Sequence, residues 1–378
     1  MAEVQFWLPE GTITGGRYRL QMVLGVGGYG ITYKGVDTRL DKVVAVKEYY
    51  PGFWVSRYAD RSKEVNCMRD AWESYEKGME RFLEEAKTLA SLSDISEVVR
   101  VNDFFEENNT AYLVMDFLDG QNLKQMADGF GGRIPPEVLI PVLGPLIKAL
   151  DKIHQKGLIH RDISPDNIMM LEDGTTRLID FGNARDTTNN KSMTLAMKQG
   201  FAAPEQYKSR GQGTFTDVYG ICATMYYCIT GKLPPQAMER LTGTPFPKPS
   251  ELGVTINPVW EQTIMEGLDL FVQKRIQTME ELWDKLYGNA FSEAVKQLAE
   301  SEMAEAKEET NINEESFERV SKRLSETYST TAPYFEFLGE ETKYKEENIA
   351  EEKFEKVLQN SLDKIRDICI QIYRKIKE

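Results

Sequence analysis

Histidine is nearly missing from this chain, with two in 378 residues, which speaks against a multi-histidine metal centre. Cysteine is scarce too. Cys67, Cys222, Cys228 and Cys369 form no C-x-x-C pair, so they read as reduced thiols and not as a disulfide frame or a zinc site. No apolar run approaches the roughly 20 residues of a membrane span. The opening residues, MAEVQFWLPEGT, carry no basic segment leading into an apolar one, so no secretory signal is read and a cytoplasmic location is expected. Positive charge is in deficit, 46 Lys and Arg against 60 Asp and Glu, for a formal net charge of −14. A chain that acidic is a poor non-specific binder of nucleic acid or anionic membrane. Against these absences, 41% hydrophobic and 28% charged residues are ordinary for a globular protein and exclude wholesale disorder.

Glycine and proline run out at one place. After Gly288 only Pro333 and Gly339 remain, and the text turns rich in Glu, Lys, Ala and Leu. Residues 289–378 hold 21 acidic and 14 basic residues; residues 1–288 hold 39 and 32. The net is −7 in both, over very different lengths, so a boundary is expected near 287–289. No internal repeat and no low-complexity tract is present.

The first part opens with strand-like text. Tyr18–Leu24 leads into Gly25-Val-Gly27-Gly-Tyr-Gly30, then Ile31–Val36, a turn at Asp37–Asp41, and Val43–Glu48. A helix is expected over Ala71–Leu92, with Phe82, Ala86 and Leu89 on one face. Strands Val98–Phe105 and Thr110–Phe117 flank the turn-like Glu106–Asn109. Beyond Pro135 the text is mainly helical, over Pro136–His154, Asp217–Ile229, Pro258–Leu268 and Thr278–Leu286.

The glycine loop, Gly25-x-Gly27-x-x-Gly30, frees the backbone to approach phosphates with its amides. A dinucleotide-binding fold would place a helix after it; here a strand follows, which favours a hairpin covering a nucleotide. Next comes Val44-Ala-Val-Lys47, a lysine closing an apolar strand, where it could hold phosphates if a helix glutamate paired with it. Glu84 and Glu85 are the candidates, and Glu85 is favoured because it precedes Ala86 and lies one turn before Leu89. Then follow His160-Arg-Asp-Ile-Ser-Pro-Asp-Asn167, Asp180-Phe-Gly182 and Ala203-Pro-Glu205.

Five motifs in this order and spacing are hard to produce by chance. Over about residues 17–287 the sequence resembles the eukaryotic-like Ser/Thr protein kinases. Its HRDISPDN and Pro204-Glu-Gln-Tyr207 resemble the bacterial branch. The resemblance implies an α+β, bilobal protein-kinase fold with a β-rich N-lobe and an α-rich C-lobe. Together with the compositional boundary, it divides the chain into an arm at 1–16, N-lobe and hinge at 17–118, C-lobe at 119–288 and an acidic helical extension at 289–378, which matches nothing in the catalytic fold. It also implies ATP, Mg²⁺ and a protein substrate carrying Ser or Thr.

Site roles follow from the same resemblance. Lys47 is assigned to the α- and β-phosphates, held by Glu85. Asp180 is assigned to Mg²⁺, Asn167 to a second Mg²⁺, and Asp162 to the substrate hydroxyl. Gly25, Gly27, Gly30, Thr32, Ala45, Met115, Leu171 and the backbone of Asp116 and Leu118 are assigned to the nucleotide. Gly182 completes the Asp180 triplet. Asp217 is expected to anchor the catalytic loop, Glu205 to pair with Arg275, and His160 and Phe181 to stack in a column with Leu89 and Val101. Arg161 is the residue that in the family receives an activation-loop phosphate, and Thr187, Thr188, Ser192 and Thr194 are the candidate phosphosites, with autophosphorylation expected.

Three departures stand out. Ser/Thr kinases usually carry lysine two residues after the catalytic aspartate, where this chain has Ser164. Lys198 stands where a threonine is usual, so the two residue types look exchanged, and Lys198 either supplies the missing charge or is a solvated loop residue. Thr32 replaces a valine usual over adenine. The stretch Glu48–Asp70, with Trp54, Arg57, Tyr58 and Arg61, is longer than kinases need and either braces the helix or meets a partner.

In the extension, Phe291, Val295, Leu298 and Glu302 share a helical face, Asn313 could cap a second helix, and Phe354, Leu358, Ser361, Ile365, Ile368 and Ile372 form a heptad-like seam. That seam either packs on its own domain or serves a homodimer or a partner helix. Two other readings compete with an active protein kinase. One is a nucleotide-binding pseudokinase that signals through the tail. The other is a small-molecule kinase, whose members lack the Ala203-Pro-Glu205 and Asp217 elements.

Overall fold

The computed structural model describes residues 6–57, 63–181, 185–186, 198–208 and 211–288, with backbone alone at 185–186. Tyr58, Arg61, Gly182, Thr187, Thr188, Ser192, Thr194 and the helical readings within 289–378 lie outside the described residues. One compact unit includes the described residues through Trp283; residues 284–288 are helical and belong to a second unit.

The first unit begins with short β1 (Ile13–Thr14), then β2 (Tyr18–Val26), β3 (Gly30–Asp37) and β4 (Lys42–Tyr49). A small antiparallel pair, β5 (Val55–Ser56) and β6 (Asn66–Cys67), precedes helix α1 (Trp72–Ser91). β7 (Val101–Glu107) and β8 (Thr110–Asp116) complete a six-stranded antiparallel sheet in the order β1-β2-β3-β4-β8-β7. In β3, Ile31 and Tyr33 are buried while Thr32 and Lys34 are half-exposed, the period-two signature of a strand with one covered face. On α1, Tyr75, Phe82, Glu85, Ala86 and Leu89 are buried on a single stripe, which packs along β7 and β8.

Then come β9 (Gly120–Asn122), α2 (Leu123–Gly129), α3 (Pro136–Gln155), β10 (Leu158–Ile159), β11 (Ile168–Leu171), β12 (Thr176–Leu178) and β13 (Arg185–Asp186). Asn122 caps α2 reciprocally with Gln125, at 2.8 and 3.0 Å, so two orphan amides of the first turn are satisfied. α4 (Thr214–Thr230), α5 (Ala237–Leu241) and α6 (Pro258–Gly267) follow. α4 is buried nearly all round, which makes it the central post of the helical lobe, with α3 and α6 against it. A β-rich lobe therefore precedes an α-rich one.

The strand read at Val98 starts instead at Val101. Val98 and Val99 are used elsewhere: Leu178 N–H donates to Glu97 O at 2.8 Å and Val99 N–H donates to Leu178 O at 2.9 Å. A lone parallel bridge, Val98 to Leu178, thus ties the approach to β7 onto β12. Apolar alternation cannot distinguish a strand from a pair of valines whose flanking backbone bonds a single remote residue.

Candidate active site

The pleat of β4 sends successive side chains to opposite faces. Lys47 lies opposite Thr32 of β3, and Ala45 lies opposite Met115 of β8, so the four share a face. From that face Lys47 Nζ reaches Glu85 Oε1 of α1 at 3.3 Å and Asp180 Oδ1 at 3.3 Å. Glu85 is buried whereas Glu84 is exposed, so the helix presents Glu85 to the lysine. Burial alone would lower Lys47, but the charges of Asp180 and Glu85 outweigh it and hold the ammonium above its usual range. Burial pushes the Glu85 carboxyl up to about 7, opposed by Lys47 and reinforced by Asp180. One cation faces two carboxylates, and the more buried of them is left short of charge.

The next residue of β4, Glu48, points the other way and is fully buried. Its carboxylate accepts hydrogen bonds from Tyr33 Oη at 2.8 Å, Tyr112 Oη at 2.9 Å and the guanidinium of Arg57. Arg57 also donates to Phe6 O at 2.8 Å and Lys63 O at 3.1 Å. Leu8 N–H donates to Tyr33 Oη at 3.1 Å. The long stretch after Lys47 therefore braces the sheet from behind and fastens the N-terminal arm to it. Sequence reasoning noted Arg57 without a role and missed Glu48. The available signal was a glutamate at an inward position of an apolar strand, which requires a buried partner.

The loop from His160 to Asn167 hangs from α4. Asp217 Oδ2 accepts from His160 N at 2.8 Å and Oδ1 from Arg161 N at 2.7 Å, and His154 Nε2 lies 2.8 Å from Oδ2. Burial would raise the Asp217 carboxyl, but the bond and charge of His154, with His160 and the Arg161 amide, keep it below its usual value. These bonds matter because Arg161 sits at φ 67°, a left-handed conformation costing about 1–3 kcal/mol in a non-glycine residue. Charge-assisted bonds to two successive amides hold it there. Asn167 Nδ2 donates to Asp162 O at 2.8 Å, and Ile179 N–H donates to Asn167 O at 3.1 Å, which sets Asp180 beside the loop. The His160 and Phe181 rings meet edge to face at 4.5 Å, with Leu89 buried and Val101 half-buried. Burial lowers the His160 imidazole below its usual value.

The remaining candidate nucleotide residues lie on the glycine turn, the linker and β11. Gly27 N–H donates to Gly30 O at 2.8 Å, closing the turn that follows Gly25. A Cβ on Gly30 would come 2.6 Å from Glu48 O, so only glycine lets the loop lie this close to β4. Asp116 N–H donates to Arg100 O at 3.0 Å and its side chain pairs with Lys42 at 2.5 Å, so its amide is already committed and its carbonyl is the backbone group left for a ligand. Leu118 is half-buried in the linker between lobes, and Leu171 closes β11 opposite Gly120.

Further contacts frame the loop. Glu205 binds Arg275 at 2.7 and 3.1 Å, both buried, and Thr216 Oγ1 donates to the same carboxylate at 2.9 Å. Its neighbour Gln206, which the sequence marks only as part of the Pro204–Tyr207 signature, donates from Nε2 to Arg161 O at 2.9 Å. Lys198 Nζ reaches Ser164 Oγ at 2.8 Å and Asp166 Oδ2 at 2.6 Å, and Lys124 of α2 lies 3.8 Å from Asp166 Oδ1.

The oxygen chemistry of the site suits a hard divalent cation. Asp180 offers a carboxylate, and Asn167, whose amide nitrogen is committed to Asp162 O, offers its Oδ1. Among the described residues no group of three or more His, Cys, Asp or Glu gathers as a metal cage, so a cation here would complete its shell with phosphate oxygens and water. Among the described residues no helix is long and apolar enough to cross a membrane.

The family model described as "Protein kinase domain" matches residues 18–301. A probable serine/threonine-protein kinase of Clostridium acetobutylicum is 28% identical over 289 residues, covering 73% of this chain and 40% of that protein. Serine/threonine-protein kinase PknL of Mycobacterium tuberculosis is 31% identical over 228 residues, 60% of this chain and 52% of that one. PknA of the same organism is 30% identical over 272 residues, 68% and 58% respectively. The chain thus spans about half the length of the curated relatives it matches. The solved structure titled "PpkA-294 apo form" superposes with a TM-score of 0.66 at 31% identity, covering 75% of this chain and all of that one.

Proposed function

This chain belongs to the protein kinase domain family, and on that premise we propose that it transfers the γ-phosphoryl group of ATP to the hydroxyl of a serine or threonine on a protein. The observation that carries the reading is Lys47 held between Glu85 and Asp180, beside a 160–167 loop pinned to Asp217. Phosphoryl transfer demands positioning and compensation of charge spread over the γ-phosphoryl oxygens.

Each part has a task. The Gly25–Gly30 turn covers the phosphates with backbone amides, while Ala45, Met115 and Leu171 enclose the base with the Asp116 carbonyl and Leu118. Thr32 packs its methyl over the base where a valine is usual in the family. Lys47 neutralises α- and β-phosphate charge, with Glu85 keeping its stem pointed at them. Asp180 and Asn167 would hold Mg²⁺, which when bound draws charge from the phosphate oxygens. Asp162 receives or orients the proton of the attacking hydroxyl, worth on the order of 10²–10⁴-fold if it acts as general base. Asp217, Glu205, Arg275, His160 and Phe181 support this arrangement by packing and hydrogen bonding.

The test is transfer of labelled phosphate from ATP to a protein acceptor by the full chain and by Asp162→Asn. The variant should lose about 10²-fold or more of the rate while binding nucleotide normally. A wild-type chain that binds nucleotide and Mg²⁺ but transfers nothing would favour the pseudokinase reading, for which the absence of lysine at position 164 is the supporting feature. Transfer to small alcohols or amines and not to protein hydroxyls would favour a small-molecule kinase.

A further inference from the structure

We propose that Lys198 supplies the ammonium that the catalytic loop lacks at Ser164 and sets it on the γ-phosphoryl group during transfer. The inference rests on the phosphotransferase reading above. Ser164 and Asp166 follow Asp162 by two and four residues and precede Asn167 by three and one. An ammonium bonded to both, at 2.8 and 2.6 Å, therefore belongs to the loop that carries the proposed base and a proposed cation ligand. Ser164 is fully buried, so its hydroxyl is a fixed post. An ammonium has three donors. Ser164 and Asp166 take two, and the lysine side chain keeps 33% of its surface exposed, leaving a donor for an anion.

The stem of Lys198 is built in place. Its carbonyl accepts from Phe201 N and Ala202 N, each at 3.1 Å. Gly200 stands at φ 79°, and a Cβ there would come 2.8 Å from Leu233. The turn runs into Pro204–Tyr207, which Arg275 holds through Glu205 and which itself holds the Arg161 carbonyl through Gln206. The scaffold that positions Asp162 thus also positions Lys198. A tether to Asp166 alone would need neither the bond to Ser164 nor this second anchorage on Arg161.

The step balances without a further reagent. The acceptor hydroxyl oxygen bonds to the γ-phosphorus, and the bond from that phosphorus to the β–γ bridging oxygen breaks. Its electron pair stays on the departing ADP. The hydroxyl proton passes to Asp162. Lys198 neither gains nor loses a proton; its charge offsets the charge on a γ-phosphoryl oxygen as that charge redistributes.

The experiment compares steady-state transfer from ATP by the full-length wild type, Lys198→Ala, Lys198→Arg and the exchange variant Ser164→Lys/Lys198→Thr. Lys198→Ala should lose about 10²-fold in kcat, with the KM for ATP within about threefold, as for loss of a donor that acts mainly in the transition state. The exchange variant or Lys198→Arg should recover at least about tenfold of that loss, since charge at the loop and not the identity of position 198 is what counts. A Lys198→Ala enzyme within twofold of wild-type kcat overturns the inference. So does a failure of both charge-restoring variants to exceed Lys198→Ala. An inactive wild type overturns the phosphotransferase reading, and this one with it; an active wild type with a fully active Lys198→Ala overturns this one alone.

Discussion

Replacing Arg57 with alanine leaves the Glu48 carboxylate in the sheet without its guanidinium. Glu48 is 0% exposed and the Arg57 side chain only 4%, so water cannot readily replace the lost partner. Breaking a buried ion pair from one side costs about 3–5 kcal/mol. Two effects set the value within that range. The hydroxyls of Tyr33 and Tyr112 still donate to the carboxylate and cushion the loss. In the other direction, Arg57 also binds Phe6 O and Lys63 O, so the arm and the 51–68 stretch each lose a tie worth about 0.5–1.5 kcal/mol. Urea denaturation followed by circular dichroism should report a stability loss of about 3–5 kcal/mol for Arg57→Ala. Glu48→Gln should lose a comparable amount, because it strands the guanidinium instead. The double variant Glu48→Gln/Arg57→Ala should lose less than the two singles together, by about 2 kcal/mol, as contacting residues do. An Arg57→Ala protein within about 1 kcal/mol of wild type, or strictly additive singles, would refute the account.

Two more outcomes follow from the geometry. Arg275→Ala strands Glu205 and releases the Phe215 and Asp269 carbonyls that Arg275 also binds. Its thermal midpoint should drop by about 10 °C, from about 3–5 kcal/mol at roughly 2–4 °C each, and a shift under about 2 °C would contradict this. Burial pushes the Glu85 carboxyl up to about 7 in the folded protein against an ordinary 4.5, so folding favours its protonated form. That contribution is complete below pH 4.5 and is lost as pH rises through about 7. Glu85→Gln cannot lose it. In the nucleotide-free protein the variant should therefore gain stability relative to wild type between about pH 5 and pH 8 in paired urea titrations, and a constant gap would count against the raised Glu85.

Much of the fold was legible because its elements are strongly patterned. α1 and α3 fall within a residue of their expected ends, since an apolar stripe at helical spacing and a proline at the first turn are local signals. The hairpin over the glycine turn could be read because a strand, not a helix, follows Gly30. The misplaced strand start at Val98 has the opposite cause: Glu97 O and Val99 N–H, on either side of it, both bond Leu178, and no local pattern records a bond to β12. In the site, the motifs that carry the family resemblance name Lys47, Asp162, Asn167 and Asp180 as candidates. Gln206 could not, because its task is to hold one carbonyl of Arg161, and an amide side chain carries no mark of the carbonyl it binds.

The sequence by itself determined the family resemblance, the order of lobes and the residue types that phosphoryl transfer needs, since those depend on spacing along the chain and on side-chain chemistry. Only the tertiary structure decided which charges meet. It selected Glu85 over Glu84 by burying one and exposing the other, and it gave the 51–68 stretch its task by turning Arg57 onto Glu48. It also carried Lys198 to Ser164 across 34 positions. Such pairings depend on which faces the pleat and the helix present in space, and an unpaired charge is costly only once folding has removed water from around it.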